Sequence, residues 1–190
     1  MARPKSEDKQ KAILNAAIQE IAEHGVSAPT ARIAKIAGVG EGSLFTYFSN
    51  KDELLNQLYL YIKEELRESM MSDYPKTESV QNRIRHAWNT YVKWGVANPQ
   101  KRIVLAKLGM SNKVSEQTKT QGSEAFADIF NMISESTANG LLRNYPTSFL
   151  SAIMGSLADT TMNFIAGNPA QTEYFNNAGF EAFWSAIVNA

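Results

Sequence analysis

The sequence predicts an all-α protein, and three observations predict it. Strand-like alternation is nearly absent, apolar residues recur three and four positions apart, and Gly, Pro and Asn residues interrupt that pattern at helix-length intervals. About nine helices fit between the interruptions. Of the 190 residues, 44% are hydrophobic and spread along the whole chain, enough for one sizeable core or for a small domain attached to a larger one.

The elements follow in order. Ile13, Leu14, Ala17, Ile18 and Ile21 form one stripe that ends at His24-Gly25, where glycine past a helix end takes positive φ. A short helix is expected from Thr30 to Ala37, closed by Gly38, and a second from Glu41 to Tyr47 after the turn Gly38-Val39-Gly40. Asn50-Lys51-Asp52-Glu53 reads as an N-cap with a glutamate at the capping-box position. It opens a long helix through Leu54, Leu55, Leu58, Ile62 and Leu66, ended by Asp73-Tyr74-Pro75. Five more helices are expected: 77–96 before Asn98-Pro99, 100–108, a long one over 115–139 weakened by Gly122 and closed by Gly140, 147–166, and 171–188.

Composition narrows the function. The charges balance, 19 basic against 19 acidic, so a DNA contact needs a local cluster rather than a cationic coat. There are no cysteines, which excludes disulfides, thiolate metal sites and cysteine nucleophiles. His24 and His86 are isolated and do not make a metal site. No metal or cofactor is expected. Paired carboxylates on an apolar helix face, a nucleophile motif and a phosphate loop are all missing, which argues against an all-helical enzyme. The polar N-terminus does not read as a signal peptide, and no stretch reaches the ~20 apolar residues of a membrane span. A cytoplasmic protein is the expectation.

Two short helices joined by a glycine turn and packed on a longer one form a helix-turn-helix, here at about residues 29–48. Ile33, Ile36, Ala37, Val39, Leu44 and Phe48 are placed to fill its core, while Ala34 and Gly38 allow close approach. Glu41, Gly42, Ser43, Thr46 and Tyr47 face outward on the second helix, which fits a major groove about 12 Å wide.

The run Ile33-Ala34-Lys35-Ile36-Ala37-Gly38-Val39-Gly40-Glu41-Gly42-Ser43-Leu44-Phe45-Thr46-Tyr47-Phe48-Ser49-Asn50-Lys51-Asp52-Glu53-Leu54-Leu55 resembles the signature of the tetracycline-repressor (TetR) family, roughly I-A-x-x-A-G-V-S-x-G-T-L-Y-x-H/Y-F-x-x-K-x-x-L. The resemblance extends over about residues 9–60 without a gap; beyond it the chain matches only in helical layout. It implies a helix-turn-helix DNA-binding domain at 1–50 and a helical ligand-binding and dimerisation domain at 51–190. It also implies roles. Thr30 and Arg32 face phosphates at the start of the second helix; Glu41, Gly42 and Thr46 face base edges; Ser43, Tyr47 and Lys51 hold phosphates. Arg3, Lys5, Lys9 and Lys11 form a basic arm.

Three positions depart from the signature. Gly40 stands where a Ser or Thr cap is usual, Pro29 stands where the hydroxyl cap of the second helix is usual, and Phe45 replaces a tyrosine whose hydroxyl often meets phosphate. Ser27 or Thr30 must supply the second cap, or Pro29 starts the helix.

The implied function is a transcriptional regulator of the repressor type, binding a palindromic double-stranded DNA operator as a homodimer and responding to a small apolar effector. The alternatives are a DNA-binding regulator without an effector, and an activator. Trp88, Tyr91, Trp94, Met110, Phe126, Phe130, Met132, Met154 and Met162 are candidates to line an effector pocket, since aromatic and thioether side chains suit apolar ligands. No Lys or Arg follows Arg143, and the last two helices carry Leu150, Ile153, Leu157, Phe164, Phe180, Phe183, Trp184 and Ile187, with Ser151, Ala152, Gly155 and Ser156 as small residues. Ser151, Gly155, Phe180, Phe183, Trp184 and Ile187 are therefore the candidate dimer interface, in a four-helix bundle built from the last two helices of each copy.

Overall fold

A computed structural model describes residues 6–189. Among them are ten α-helices: α1 Glu7–His24, α2 Thr30–Ile36, α3 Glu41–Tyr47, α4 Lys51–Met71, α5 Val80–Ala97, α6 Pro99–Gly109, α7 Glu116–Glu124, α8 Ala127–Ala138, α9 Thr147–Gly167 and α10 Thr172–Ile187. A 3₁₀ turn, Pro169–Gln171, precedes α10, and a single antiparallel bridge pairs Leu142 with Val188. The all-α class holds. The helix expected over 115–139 is two helices, because Phe126 leaves helical geometry (φ −115°, ψ 20°) while its side chain is buried. The break falls where the chain passes from one compact unit to the other, so the two halves serve different cores. No helix among the described residues is long and apolar enough to cross a membrane.

The first unit comprises Met1–Glu64 and Pro99–Glu124. Of the stretch 1–50 expected as the helix-turn-helix domain, the described residues 6–50 lie inside it, and the unit adds most of α4 together with α6 and α7. Ile13, Leu14, Ala17, Ile18 and Ile21 are buried along α1, which packs on α2 and α6. Gly25 takes φ 82° just past α1, as its position requires. The ammonium of Lys107 on α6 donates to the carbonyls of Ile21 (3.2 Å) and Ala22 (2.8 Å), a cation at the negative end of the α1 dipole. Asn56 fastens the segment before α7: its amide donates to the Lys113 carbonyl at 2.9 Å, and its Oδ1 accepts from the Ser115 N–H at 3.0 Å. Gly122 lets α7 close on α4, since a Cβ there would lie 2.8 Å from Tyr59 Cε1.

The second unit comprises Glu65–Asn98 and Ala125–Ala190, with α5 packed on α8, α9 and α10. Trp88 on α5 is its centre. The indole is fully buried, stacks on Phe183 (centroids 5.6 Å apart) and meets Phe180 edge-on at 6.4 Å. Its Nε1–H donates to the backbone oxygen of Asn176 (3.2 Å) and to Asn176 Oδ1 (3.1 Å). A buried indole needs such a partner for its single donor. His86 is structural too: its Nε2 pairs with the Met70 carbonyl at 3.2 Å and its ring meets Tyr74 edge-on. The cap of α5 is Ser79, whose hydroxyl accepts from the Asn82 N–H, so α5 starts three residues later than the periodicity implies.

Gly179 on α10 is where the packing is tightest. A Cβ there would overlap Thr161 Oγ1 and lie 2.8 Å from Trp88 Cζ2. Alanine gains ~1 kcal/mol in helix propensity, but overpacking against the indole costs about 1–3 kcal/mol. Gly179→Ala should therefore lower the thermal midpoint by a few degrees, measured by far-UV circular dichroism; an unchanged or raised midpoint would show that Trp88 has room to yield.

Candidate nucleic-acid interface

Helices α2 and α3 have seven residues each, too few to persist alone, so packing must hold them. Ile33 and Ala34 on α2, and Leu44 and Phe48 at α3, are buried to within 1%. Fully burying each large side chain among them contributes roughly 1.5–3 kcal/mol. Gly38 makes the turn at φ 67°, and the Val39 N–H returns to the Ala34 carbonyl. Ile36, expected in this core, is instead 42% exposed. At 100° per residue it lies at the edge of the buried sector, about 60° from Ile33 on the side away from Ala34 and Ala37.

The departures from the family signature have structural outcomes. Pro29 occupies the N-cap position of α2 and Gly40 that of α3, and neither helix has a side-chain cap. Thr30 does not cap α2 either. Its hydroxyl donates to Glu41 Oε1 at 2.7 Å, linking the first residue of α2 to the first residue of α3. At α4 the expected capping pattern forms. Asn50 Oδ1 accepts from the Glu53 N–H at 2.8 Å, and Glu53 Oε2 reaches back to the Ser49 N–H.

The residues expected at phosphate divide into two groups. Ser43, on α3, is exposed, and Lys51 is half-buried at the first position of α4. A cation there opposes the positive end of the helix dipole. Burial lowers the pKa of Lys51; Asp52 raises it, and Lys113 lowers it. Two lysines sharing the start of α4 are better satisfied by an anion than by each other. Lys113 Nζ also lies 3.5 Å from Asp52 Oδ2. Sequence reasoning missed Lys113, which is distant in the chain and carries no motif. Tyr47 is half-buried and its hydroxyl accepts from the Ser6 N–H at 3.3 Å, so part of its role is to seat the start of α1.

Arg32 departs most from its expected role. Its Nη2 donates to Glu20 Oε1 at 3.2 Å, and its Nε lies 3.0 Å from Glu20 Oε2. Glu20 is only 3% exposed, and His24 Nδ1 lies 3.5 Å from the same carboxylate. A buried carboxylate needs this company, so Arg32 pins α2 to α1.

On α3, Glu41, Gly42, Ser43, Phe45 and Thr46 are exposed, and Gly42 and Thr46 lie opposite the buried Leu44 and Phe48. Lys9 and Lys11 are exposed on α1, while Arg3 and Lys5 lie outside the described residues.

The pocket and interface candidates are placed as follows. Trp94, Phe126, Met132 and Met162 are buried in the second unit, and Tyr91, Phe130 and Met154 are half-buried there. Met110 departs from the set: it lies in the first unit and is 83% exposed, at the end of a helix whose buried row is Val104 and Leu108. Trp88 is taken up by Phe183, Phe180 and Asn176. Phe180, Phe183 and Ile187 fill this chain's own core and have almost no surface to offer a second copy. Ser151 is exposed; Gly155 and Trp184 are half-buried, with Trp184 stacked on Phe180. The large apolar side chains left exposed on α9 and α10 are Phe149, Phe164 and Tyr174.

Arg32→Ala should strand the Glu20 carboxylate and destabilise the protein by roughly 1–3 kcal/mol in urea unfolding, the cost of leaving a buried polar group unpaired. Adding Glu20→Gln should recover most of that loss. An Arg32→Ala variant as stable as the parent would return Arg32 to the phosphate-facing role.

Residues 13–58 match the model of the bacterial regulatory proteins of the tetR family. The HTH-type transcriptional regulator YhgD of Bacillus subtilis is 35% identical over 78 residues, 38% of this chain and 41% of that protein. The chain thus spans about two-fifths of the length of that curated relative in its match. The crystal structure of a tetR family transcription regulator from Shewanella sp. PV-4 superposes with TM-score 0.85 at 26% identity, covering 96% of this chain and 99% of the other. The transcriptional regulator FadR of Bacillus subtilis, solved in complex with stearoyl-CoA, shares the fold with TM-score 0.68 at 19% identity, covering 92% of this chain and 97% of the other. The motif of residues 33–55 thus lies inside a stretch that matches the tetR-family model, and the chain shares the fold of TetR-family transcription regulators.

Proposed function

We propose that the protein is a sequence-specific DNA-binding repressor that binds a near-palindromic operator as a homodimer and is released by a small, largely apolar effector. The observation that carries this reading is α3 itself. A seven-residue helix is held by its buried Leu44 and by Phe48, while its outward face is small and uncharged apart from Glu41. The cation of Lys51 stands at the start of the next helix, where a groove-bound helix is flanked by phosphate. Glu41 Oε1 accepts from Thr30, which leaves Oε2 to accept from the N4 amino group of a cytosine.

The dimer reading rests on the faces of α9 and α10 that the chain leaves uncovered. Phe149, Phe164 and Tyr174 are 51%, 54% and 67% exposed, with Ser151, Ala152 and Ser156 exposed beside them on α9 and no Lys or Arg after position 143. An apolar surface of that kind is normally covered by a partner. The effector reading rests on Tyr91, Trp94, Phe126, Phe130, Met154 and Met162 in the second unit, and on the stearoyl-CoA held by a protein of the same fold. One observation favours the effectorless alternative: Trp88 is fully buried and taken up by Phe180, Phe183 and Asn176.

Three measurements test the proposal. Selection from a random duplex library should return a near-palindrome with half-sites about one helical turn apart. On it, Lys51→Ala should weaken binding to all sequences and lower the salt slope by roughly one for each phosphate that the lysine neutralises. Glu41→Ala should instead relax one C·G position per half-site at a cost of ~1–3 kcal/mol; a uniform loss over all sequences would reduce Glu41 to a partner of Thr30. Sedimentation should give a dimer at micromolar concentration, and Phe164→Glu should give a monomer without operator binding; a parent monomer would sink the dimer. Stearoyl-CoA should raise the thermal midpoint and loosen the operator; no effect of this or shorter acyl-CoAs would favour the effectorless alternative.

A further inference from the structure

We propose that α3 reads its target chiefly through thymine 5-methyl groups, contacted by the ring of Phe45 and the methyl of Thr46; this rests on the DNA-binding reading above and specifies its chemistry.

The exposed face of α3 is poor in the donors that read bases. Its seven residues, Glu41 to Tyr47, include no Lys, Arg, Asn or Gln. Guanine is read by a bidentate cation on O6 and N7, and adenine by a bidentate amide on N6 and N7, so neither of those contacts is available from this helix. The remaining side-chain donors are hydroxyls, and one of the three is engaged: Thr46 Oγ1 donates to the Gly42 carbonyl one turn back, at 3.3 Å. Tyr47 is half-buried, and its hydroxyl, which accepts from the Ser6 N–H at 3.3 Å, is held at the start of α1. Ser43 is the exposed hydroxyl of the face. Glu41 only accepts, and one of its oxygens is taken by Thr30.

What the face presents instead is hydrocarbon. The Phe45 ring is 40% exposed although nothing in a soluble helix requires it there. Thr46 lies opposite the buried Leu44 and Phe48 at 100° per residue, the centre of the outward face, and with its hydroxyl engaged it offers its methyl. Gly42, one turn before Thr46, has nothing within 4 Å of where a Cβ would stand, so it leaves open space beside both. Of the four bases, only thymine carries a methyl group on its major-groove edge, and Phe and Thr methyl contacts are its ordinary apolar partners.

The test replaces thymine by deoxyuridine, one position at a time, in the duplex selected by the intact protein. This deletes the 5-methyl group and leaves base pairing unchanged. One or two positions in each half-site should lose about fourfold in affinity, the value of one buried methyl. Phe45→Ala should erase the thymine–uracil difference at one such position and keep it at the other. Thr46→Ser keeps the hydroxyl and its bond to Gly42, deletes only the methyl, and should erase the other difference. If the duplex binds but no thymine is sensitive to its methyl, or both variants keep the full sensitivity, the inference fails while DNA binding stands. If no duplex is selected, the DNA-binding reading itself falls and takes this one with it.

Discussion

A helix of seven residues has no stability of its own, and the recognition apparatus of this protein is two of them in a row. Nucleation is costly, and each helix recovers few hydrogen bonds against that cost. Everything that fixes α3 is therefore tertiary. Leu44 and Phe48 anchor its inner face, Ile33 and Ala34 anchor α2, and Gly38 supplies the one backbone conformation that lets the two meet. The outer face is left out of the packing because the inner face carries it.

Polar chemistry is used in the same sparing way. Neither short helix has a side-chain cap, and both start with bonds that run between elements. Thr30 reaches across to Glu41, and Arg32 reaches back to the buried Glu20 on α1. A cap satisfies one orphan donor within a helix. A bond between helices instead fixes their mutual angle, and the angle is what a groove reads. Burying the Glu20 carboxylate carries a desolvation cost that Arg32 offsets, with His24 beside it. The pair thus serves orientation more than stability.

In the second unit the aromatic side chains separate into two populations. Trp88, Phe180 and Phe183 interlock around an indole whose donor is satisfied by Asn176, with Gly179 admitting the indole edge. Phe149, Phe164 and Tyr174 lie on the outside of α9 and α10, where the chain leaves half or more of each exposed. A helix apolar on both sides must bury both, and this chain buries only one. After position 143 there is no Lys or Arg, and Asp159, Glu173 and Glu181 are the only charged side chains of α9 and α10, so few charges keep the second side apart from another copy.

The sequence by itself determined the helical class, the short-helix pair and its glycine turn, the capping pattern at Asn50–Glu53, and the match of residues 13–58 to the tetR-family model, because each depends on residues close together in the chain. Period, turn chemistry and caps are local physics, and they are written in order. Tertiary structure decided the rest. It split the helix expected over 115–139 at Phe126, gave α6 and α7 to the unit that contains the helix-turn-helix, and turned Ile36 and Met110 outward. It paired Arg32 with the buried Glu20, brought Lys113 beside Asp52 at the start of α4, and sent Phe180, Phe183 and Ile187 into the core. In each case the deciding partner lies at least a helix away: Glu20 for Arg32, Asp52 and Lys51 for Lys113, Trp88 for Phe183. An apolar stripe states that a face must be buried, and a charge states that it needs a counter-charge or water. Neither states which partner will do it, and that choice exists only once distant segments are packed together.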